Sequence, residues 1–187
     1  LKVRLKQAGL YTAYTDIEMP TQLLLAEMEL TGVCWDREYV DLLWTSVEEK
    51  MAELQNKLFI LSGRKFNLRS RTDLSKVKSS LKESSETTLC EFNSTLRNWR
   101  VLNSLKTRNM SPLLMKQEGD RVRGSWETHT VTGRISMQEP NLQHVPRDIT
   151  IDDQVFSLRS AFVAGQGNTL VSADFCQLEL RLLAHFS

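Results

Sequence analysis

Apolar residues recur at three- and four-residue steps along one stretch more clearly than anywhere else in the chain. Val40, Leu43, Trp44, Val47, Met51, Leu54, Leu58 and Leu61 form a single stripe, which predicts a helix of about seven turns. Asp36 is placed to cap its start and Gly63 to end it. The pattern leaves open whether this helix projects as an arm or packs in a bundle. Before it, residues 17–32 (IEMPTQLLLAEMELTG) predict a short buried helix, with Pro20 in the first turn and Gly32 at the stop. After it, SGRKFNLRSRTDL (Ser62 to Leu74) reads as a basic loop running into a helix. Ser70 and Asp73 there make a capping box, and Leu74, Val77 and Leu81 make a narrow stripe. KESSETTLCEFNS is polar and reads as a loop. Phe92, Leu96, Trp99, Leu102 and Leu105 predict another helix, and Pro112 and Gly119 a break.

From about Arg121 the pattern changes. Short stretches of Val, Thr, Ile and Phe are punctuated by Gly and Pro, which suits strands and turns. Arg159 to Ala164 and Thr169 to Ala173 read as two strands joined by Gly165–Asn168, and Leu178, Leu182, Leu183 and Phe186 as a helix. The order is strand, turn, strand, Asp174, helix.

Composition narrows the class. Apolar residues make up 41% and charged residues 25% of 187, which argues for a globular chain against disorder or low complexity. No apolar run approaches the ~20 residues of a membrane span, so no membrane partner is expected. The three cysteines and three histidines lack disulfide or metal-ligand spacing, and an intracellular, reducing setting fits best. Both ends read as cut, so the chain is taken as an excerpt. The net charge of +1 hides an asymmetry: residues 60–110 carry 11 Lys and Arg against 4 Asp and Glu, between two acidic flanks. Such a block suits phosphate contact, or simply a solvated helical face.

Asp174 is the chemical candidate. At the tip of an apolar strand, a carboxylate sits on a rigid frame and suits a hard cation that takes oxygen ligands. The Phe175 carbonyl could add a second oxygen, and Glu179 could look into the same space. The plainer reading is a helix cap, with Asp174 and Gln177 three apart.

Four ordered stretches then resemble one family. DFCQLELRLLAHFS resembles the first catalytic motif of family A DNA polymerases, and THTVTGRISMQEPNLQHVPRD the segment that grips the primer–template end. IEMPTQLLLAEMELTGVCWD is similar to the opening palm helix, and RKFNLRSRTDL to the thumb-tip loop. The wording EPNLQHVPRD leans to the theta-like branch, where Arg147 and Asp148 match a PRD. The resemblance implies an α+β fold: a long helical thumb packed on a partial antiparallel palm sheet, the right-hand polymerase fold truncated before the fingers. Residues 1–15 would be the tail of an exonuclease-like region or a linker, 16–35 the first palm helix, 36–112 the thumb and 113–187 the palm. It implies template-directed addition of deoxynucleotides to a primer, in DNA repair, by two-metal chemistry, and a nuclear location for the theta-like branch.

The same resemblance assigns residues. Asp174 is the catalytic and metal-holding carboxylate, with the Phe175 backbone carbonyl as a further ligand of two Mg²⁺ ions. A second carboxylate would lie outside these residues, so the excerpt alone is expected to be inactive. Gln177 and Glu179 would meet the incoming nucleotide, Glu179 excluding a 2′-hydroxyl. Arg134, with Thr132 beside it, would reach the minor groove at the primer terminus. Gln143 would read the template side, and His144 stands where Asn is more usual. Arg64, Lys65, Asn67, Arg69, Ser70 and Arg71 would track the duplex backbone, with Lys106 near its phosphates. Minor-groove acceptors common to all correct pairs make such contacts sensitive to shape and blind to sequence. From the residues alone, Arg134 could instead be a strand-edge ion pair and Lys106 a solvated helix residue. The rival functions are a non-catalytic primer–template binding module and a structural domain whose basic block meets an acidic protein.

Overall fold

The computed structural model describes residues 1–187, apart from the side chain of Ser84. Two short helices, α1 (Lys2–Gln7) and α2 (Tyr11–Ala13), lead through a π-helical turn (Tyr14–Glu18) into α3 (Met19–Thr31). Pro20 cannot donate the amide hydrogen bond that its place in the run demands, and the wide turn just before it absorbs the mismatch. A second π-helical turn (Leu105–Met110) precedes Pro112 in the same way. The break expected at Pro112 is therefore deferred to Lys116.

The centre of the molecule is a helical bundle. Helix α4 (Arg37–Ser62) starts where the Asp36 carboxylate accepts the Tyr39 amide at 2.9 Å and ends at Gly63, whose φ of 65° is the left-handed stop. Helix α5 (Arg71–Ser84) is capped by Ser70, whose hydroxyl accepts the Asp73 amide at 3.2 Å. Helix α6 (Glu86–Ser104) follows at once, capped by Ser85, so the polar stretch expected as a loop is mostly helix. Polar composition misled there. A Ser cap followed by Leu89 and Phe92 at a three-residue step is a helix start, and Phe92 is fully buried. Helices α4 and α6 pack along each other, which makes α4 a bundle helix and not a free arm. Their core joins Val40, Leu43, Val47, Leu54 and Leu58 to Leu74, Val77 and Leu81 of α5 and to Phe92, Leu96, Trp99 and Leu102 of α6.

Helix α7 (Ser111–Met115) hands over to the β region, which is three small antiparallel sheets and not the single partial sheet expected. Strands β1 (Val33–Cys34), β2 (Gln117–Glu118) and β3 (Arg121–Val122) form one, in the order β1-β3-β2. Strands β4 (Ser125–Glu127) and β5 (Ser136–Gln138) form the second, with Trp126 opposite Met137. Strands β6 (Ile149–Ile151) and β7 (Gln154–Phe156) form a two-residue hairpin. Its Asp152 and Asp153 have φ of 47° and 63°, as a type I′ turn requires. This hairpin is tied to α4: buried Lys50 reaches Asp152 at 3.0 Å, and the Tyr39 hydroxyl donates to the Ser157 carbonyl at 2.8 Å. Ile151, Phe156 and Leu158 thereby extend the bundle core.

Two expectations fail on packing grounds. The helix expected to be buried at 17–32 forms, yet only Leu25 is buried, and Leu23, Leu24, Met28 and Leu30 are exposed. The strands expected at Arg159 to Ala164 and Thr169 to Ala173 do not form. Arg159–Ala161 is a 3₁₀ turn, Phe162 makes a single bridge with Trp35, and Thr169–Ala173 has no regular structure. A strand exists only by pairing, and this apolar run meets no partner among the described residues. Helix α8 (Leu178–Phe186) does form, with every residue from 166 to 187 exposed. No helix of the described residues is long and apolar enough to cross a membrane.

Candidate nucleic-acid interface and active site

The basic loop after α4 is held from inside. Leu68 is buried, and the Phe66 ring packs 6.0 Å from Phe92 and 5.5 Å from Phe59. With Phe66 and Leu68 turned inward, Lys65, Asn67 and Arg69 between and beside them face solvent, with Arg64 and Arg71 also exposed. The Asn67 side chain accepts the Arg69 amide at 2.9 Å, and the Arg69 guanidinium donates to Asn103 of α6 at 3.3 Å. Arg64, Lys65, Arg69 and Arg71 take part in no ion pair among the described residues, so their charge is available to a ligand.

Further cations, outside the residues that the resemblance assigns to DNA, stand beside the loop. Lys76 lines the same hollow as Arg64 and Lys65, and Lys78, Arg97 and Arg100 line a groove between α5 and α6. The three-residue step from Arg97 to Arg100 was the available sign of a shared helix face. Lys106 is engaged elsewhere. Its side chain is only 24% exposed, and its ammonium pairs with Glu48 of α4 and lies 4.6 Å from the centre of the Trp44 ring. That hydrogen bond holds the Glu48 carboxyl below the usual glutamate range. The lysine is thus a tie between helices, and not the solvated residue of the plainer reading.

The TGR stretch occupies the loop between β4 and β5. A turn closes it, the Gly133 amide donating to the Thr130 carbonyl at 3.1 Å, with φ of 72° at Gly133 where a side chain would be strained. Thr132 and Arg134 are exposed on it. Gln143 sits in a short 3₁₀ turn (Leu142–His144), and its amide is spread along β5. It accepts the Met137 amide at 2.9 Å and donates to the Ile135 carbonyl at 3.2 Å. One amide hydrogen of Gln143 is left over from these contacts. His144 is exposed, its carbonyl accepting from Asn109.

Asp174 is exposed, precedes α8 by four residues and has no ion pair among the described residues. It does not cap the helix. Gln177 holds the cap position, at a φ of 52° and with no side-chain cap bond. Nor does Asp174 stand on a strand tip, since that strand is unformed, so the rigid seat expected for it is absent here. Phe175 is also exposed. Glu179, in the first turn of α8, meets the TGR loop: Arg134 Nη2 donates to Glu179 Oε1 at 3.3 Å. The ion-pair reading of Arg134 is therefore correct in kind, with its partner on α8 and not at a strand edge.

The sequence model of DNA polymerase family A matches residues 37–187. The chain belongs to DNA polymerase family A. It is 35% identical to DNA polymerase theta of Drosophila melanogaster over 98% of this chain and 10% of that protein. It is 34% identical to the thermostable DNA polymerase I of Thermus thermophilus over 100% of this chain and 25% of that one. Within family A these two identities differ by one point and do not separate the branches. The fold is similar to that of the polymerase domain of Pol1 from M. smegmatis, solved with DNA primer–template and dNTP. The TM-score is 0.74 at 24% identity, over 98% of this chain and 36% of that one. The family A chain thus spans a tenth to a quarter of the length of these curated relatives.

Proposed function

We propose that the polymerase carrying this chain adds deoxynucleotides to the 3′ end of a DNA primer on a template strand, in a theta-like repair role. The observation that carries the reading is the meeting of Arg134 with Glu179 in a family A chain. It brings the proposed primer-grip loop to the helix that follows the proposed catalytic carboxylate. Residues 36–112 are read as the thumb, 16–35 and 113–187 as parts of the palm, and 1–15 as a preceding tail or linker. The proposed theta-like placement, and with it a nuclear location, rests on Pro146, Arg147 and Asp148.

In this reading the basic loop grips the duplex backbone through Arg64, Lys65, Asn67, Arg69, Ser70 and Arg71. Lys76 and the groove of Lys78, Arg97 and Arg100 extend the same phosphate surface. Arg134, Thr132, Gln143 and His144 meet the primer–template end, Gln143 through its remaining amide hydrogen. Lys106 contributes through position, since its charge is shared with Glu48. Gln177 and Glu179 face the nucleotide.

The Asp174 carboxylate and the Phe175 carbonyl are hard oxygen donors on an exposed segment, and they fit one corner of a Mg²⁺ site. A pair of donors is short of the six oxygens such an ion takes, so further ligands are required. Bound there, two ions would supply charge stabilisation to the attacking and leaving oxygens of phosphoryl transfer.

The test is primer extension by the intact polymerase with Asp174→Ala. The expected outcome is a loss on the order of a hundredfold or more, with primer–template affinity retained. Full extension by the variant removes Asp174 from catalysis. Salt-sensitive primer–template binding with no extension even by the wild type favours the non-catalytic binding module instead.

A further inference from the structure

Among the described residues, one hydrogen bond or ion pair joins residues 169–187 to the rest of the chain: Arg134 Nη2 to Glu179 Oε1 at 3.3 Å. The other polar side-chain contacts of this segment stay within it, such as Arg181 to the Cys176 carbonyl at 2.9 Å. Both partners of the joining pair are open to solvent, at 78% and 75% exposure, so neither is held there by packing. The guanidinium has one place to be in the free protein and, on the reading above, another once a primer terminus offers minor-groove acceptors. The carboxylate likewise has two partners, the guanidinium and the sugar of an incoming nucleotide.

We infer that Arg134 is a positioning residue for Glu179, so that the shape of the primer terminus sets how strictly the sugar is checked. This rests on the roles given above to Arg134 and Glu179. At a matched terminus the minor-groove acceptors draw Arg134 away and Glu179 is released to the sugar. At a mismatched terminus those acceptors are displaced, the ion pair persists and Glu179 is held off the sugar. Exclusion of ribonucleotides is then strict after a correct pair and relaxed after an incorrect one. An exposed pair carries little energy, and the expected coupling is about two- to fivefold.

Two measurements test this on the intact polymerase. The first is the ratio of deoxynucleotide to ribonucleotide incorporation efficiency at matched and mismatched primer termini. The wild type is expected to lose about two- to fivefold of its discrimination at the mismatch. Arg134→Ala is expected to give the same ratio at both termini, and Arg134→Lys to restore part of the difference. Equal discrimination by the wild type at both termini overturns the inference, as does a terminus dependence that survives Arg134→Ala. The second is hydrogen exchange of residues 169–187 without DNA. Arg134→Ala and Glu179→Ala should speed it equally, the double variant should add nothing, and primer–template should abolish the difference. Additive effects in the double variant overturn the coupling. If Glu179→Ala leaves sugar discrimination intact, the sugar-gate reading fails by itself, and the exchange experiment still decides whether the pair exists.

Discussion

The α4–α6 bundle and the segment from residue 166 to the end are both rich in apolar residues, yet one is a core and the other a surface. In the bundle every apolar stripe meets another: Val47 and Leu58 of α4 and Phe92 and Leu102 of α6 are all but inaccessible. In the last segment Leu170, Val171, Phe175, Leu182, Leu183 and Phe186 are all at least half exposed. The caps divide the same way. Asp36, Ser70 and Ser85 each accept a first-turn amide, whereas Gln177 caps nothing and sits in a left-handed conformation. An amphipathic pattern states what an element would bury. Whether it does so depends on a partner surface, which the bundle contains and which, among the described residues, the helix of the last segment does not meet.

The sharpest way to break this contrast is to remove a large side chain from each side. Phe92→Ala should cost about 3–5 kcal/mol in urea unfolding of the chain, through transfer and cavity together. Leu183→Ala should stay within about 0.5 kcal/mol. Comparable losses would mean that the last helix is packed after all. The bundle's outer face offers the next largest effect. Replacing Arg64, Lys65, Arg69 and Arg71 together by Ala should flatten the dependence of primer–template affinity on log salt by about 3.6 if all four neutralise phosphates. An unchanged slope in a filter-binding titration from 50 to 200 mM salt, roughly the range over which such contacts lose affinity, would remove the loop from the interface. The caps come third: Asp36→Ala should cost about 1 kcal/mol and lower the melting temperature, while Gln177→Ala should do neither.

The smallest effect is electrostatic. The hydrogen bond from Lys106 holds the Glu48 carboxyl below its ordinary value. A carboxyl depressed on folding contributes stability above its unfolded value of about 4.3, and loses it as pH falls through the lower folded value. Melting curves from neutral to acid pH should therefore show a steeper acid loss for the wild type than for Glu48→Gln. Parallel curves would mean that the Lys106–Glu48 tie has no weight in solution.

Much of this was legible without coordinates because it is local. The seven-turn helix from Asp36 to Gly63, the Ser70 cap and the helix after Asp174 follow from side chains within a few residues of one another. The failures share a cause. The Ser85 cap lies inside a polar run whose composition suits a loop, and only the spacing of Leu89 and Phe92 behind it marks a helix start. The strand before Asp174 was inferred from apolar β-branched residues, although a strand's hydrogen bonds belong to its neighbours. Among site residues, the loop cations were readable as charge, but that Phe66 and Leu68 pin the loop and turn Lys65 and Arg69 outward is a matter of packing. That Lys106 spends its charge on Glu48, 58 positions away in the chain, no pattern could have given.

By itself, then, the amino-acid order determined the helices, their caps, the basic block and the family, since each depends on near neighbours or on ordered motifs. Only the folded chain decided which apolar faces are covered, which cations remain unpaired, and that Arg134 lies against Glu179. Those are relations between residues far apart in sequence, and they exist only once the chain has closed on itself.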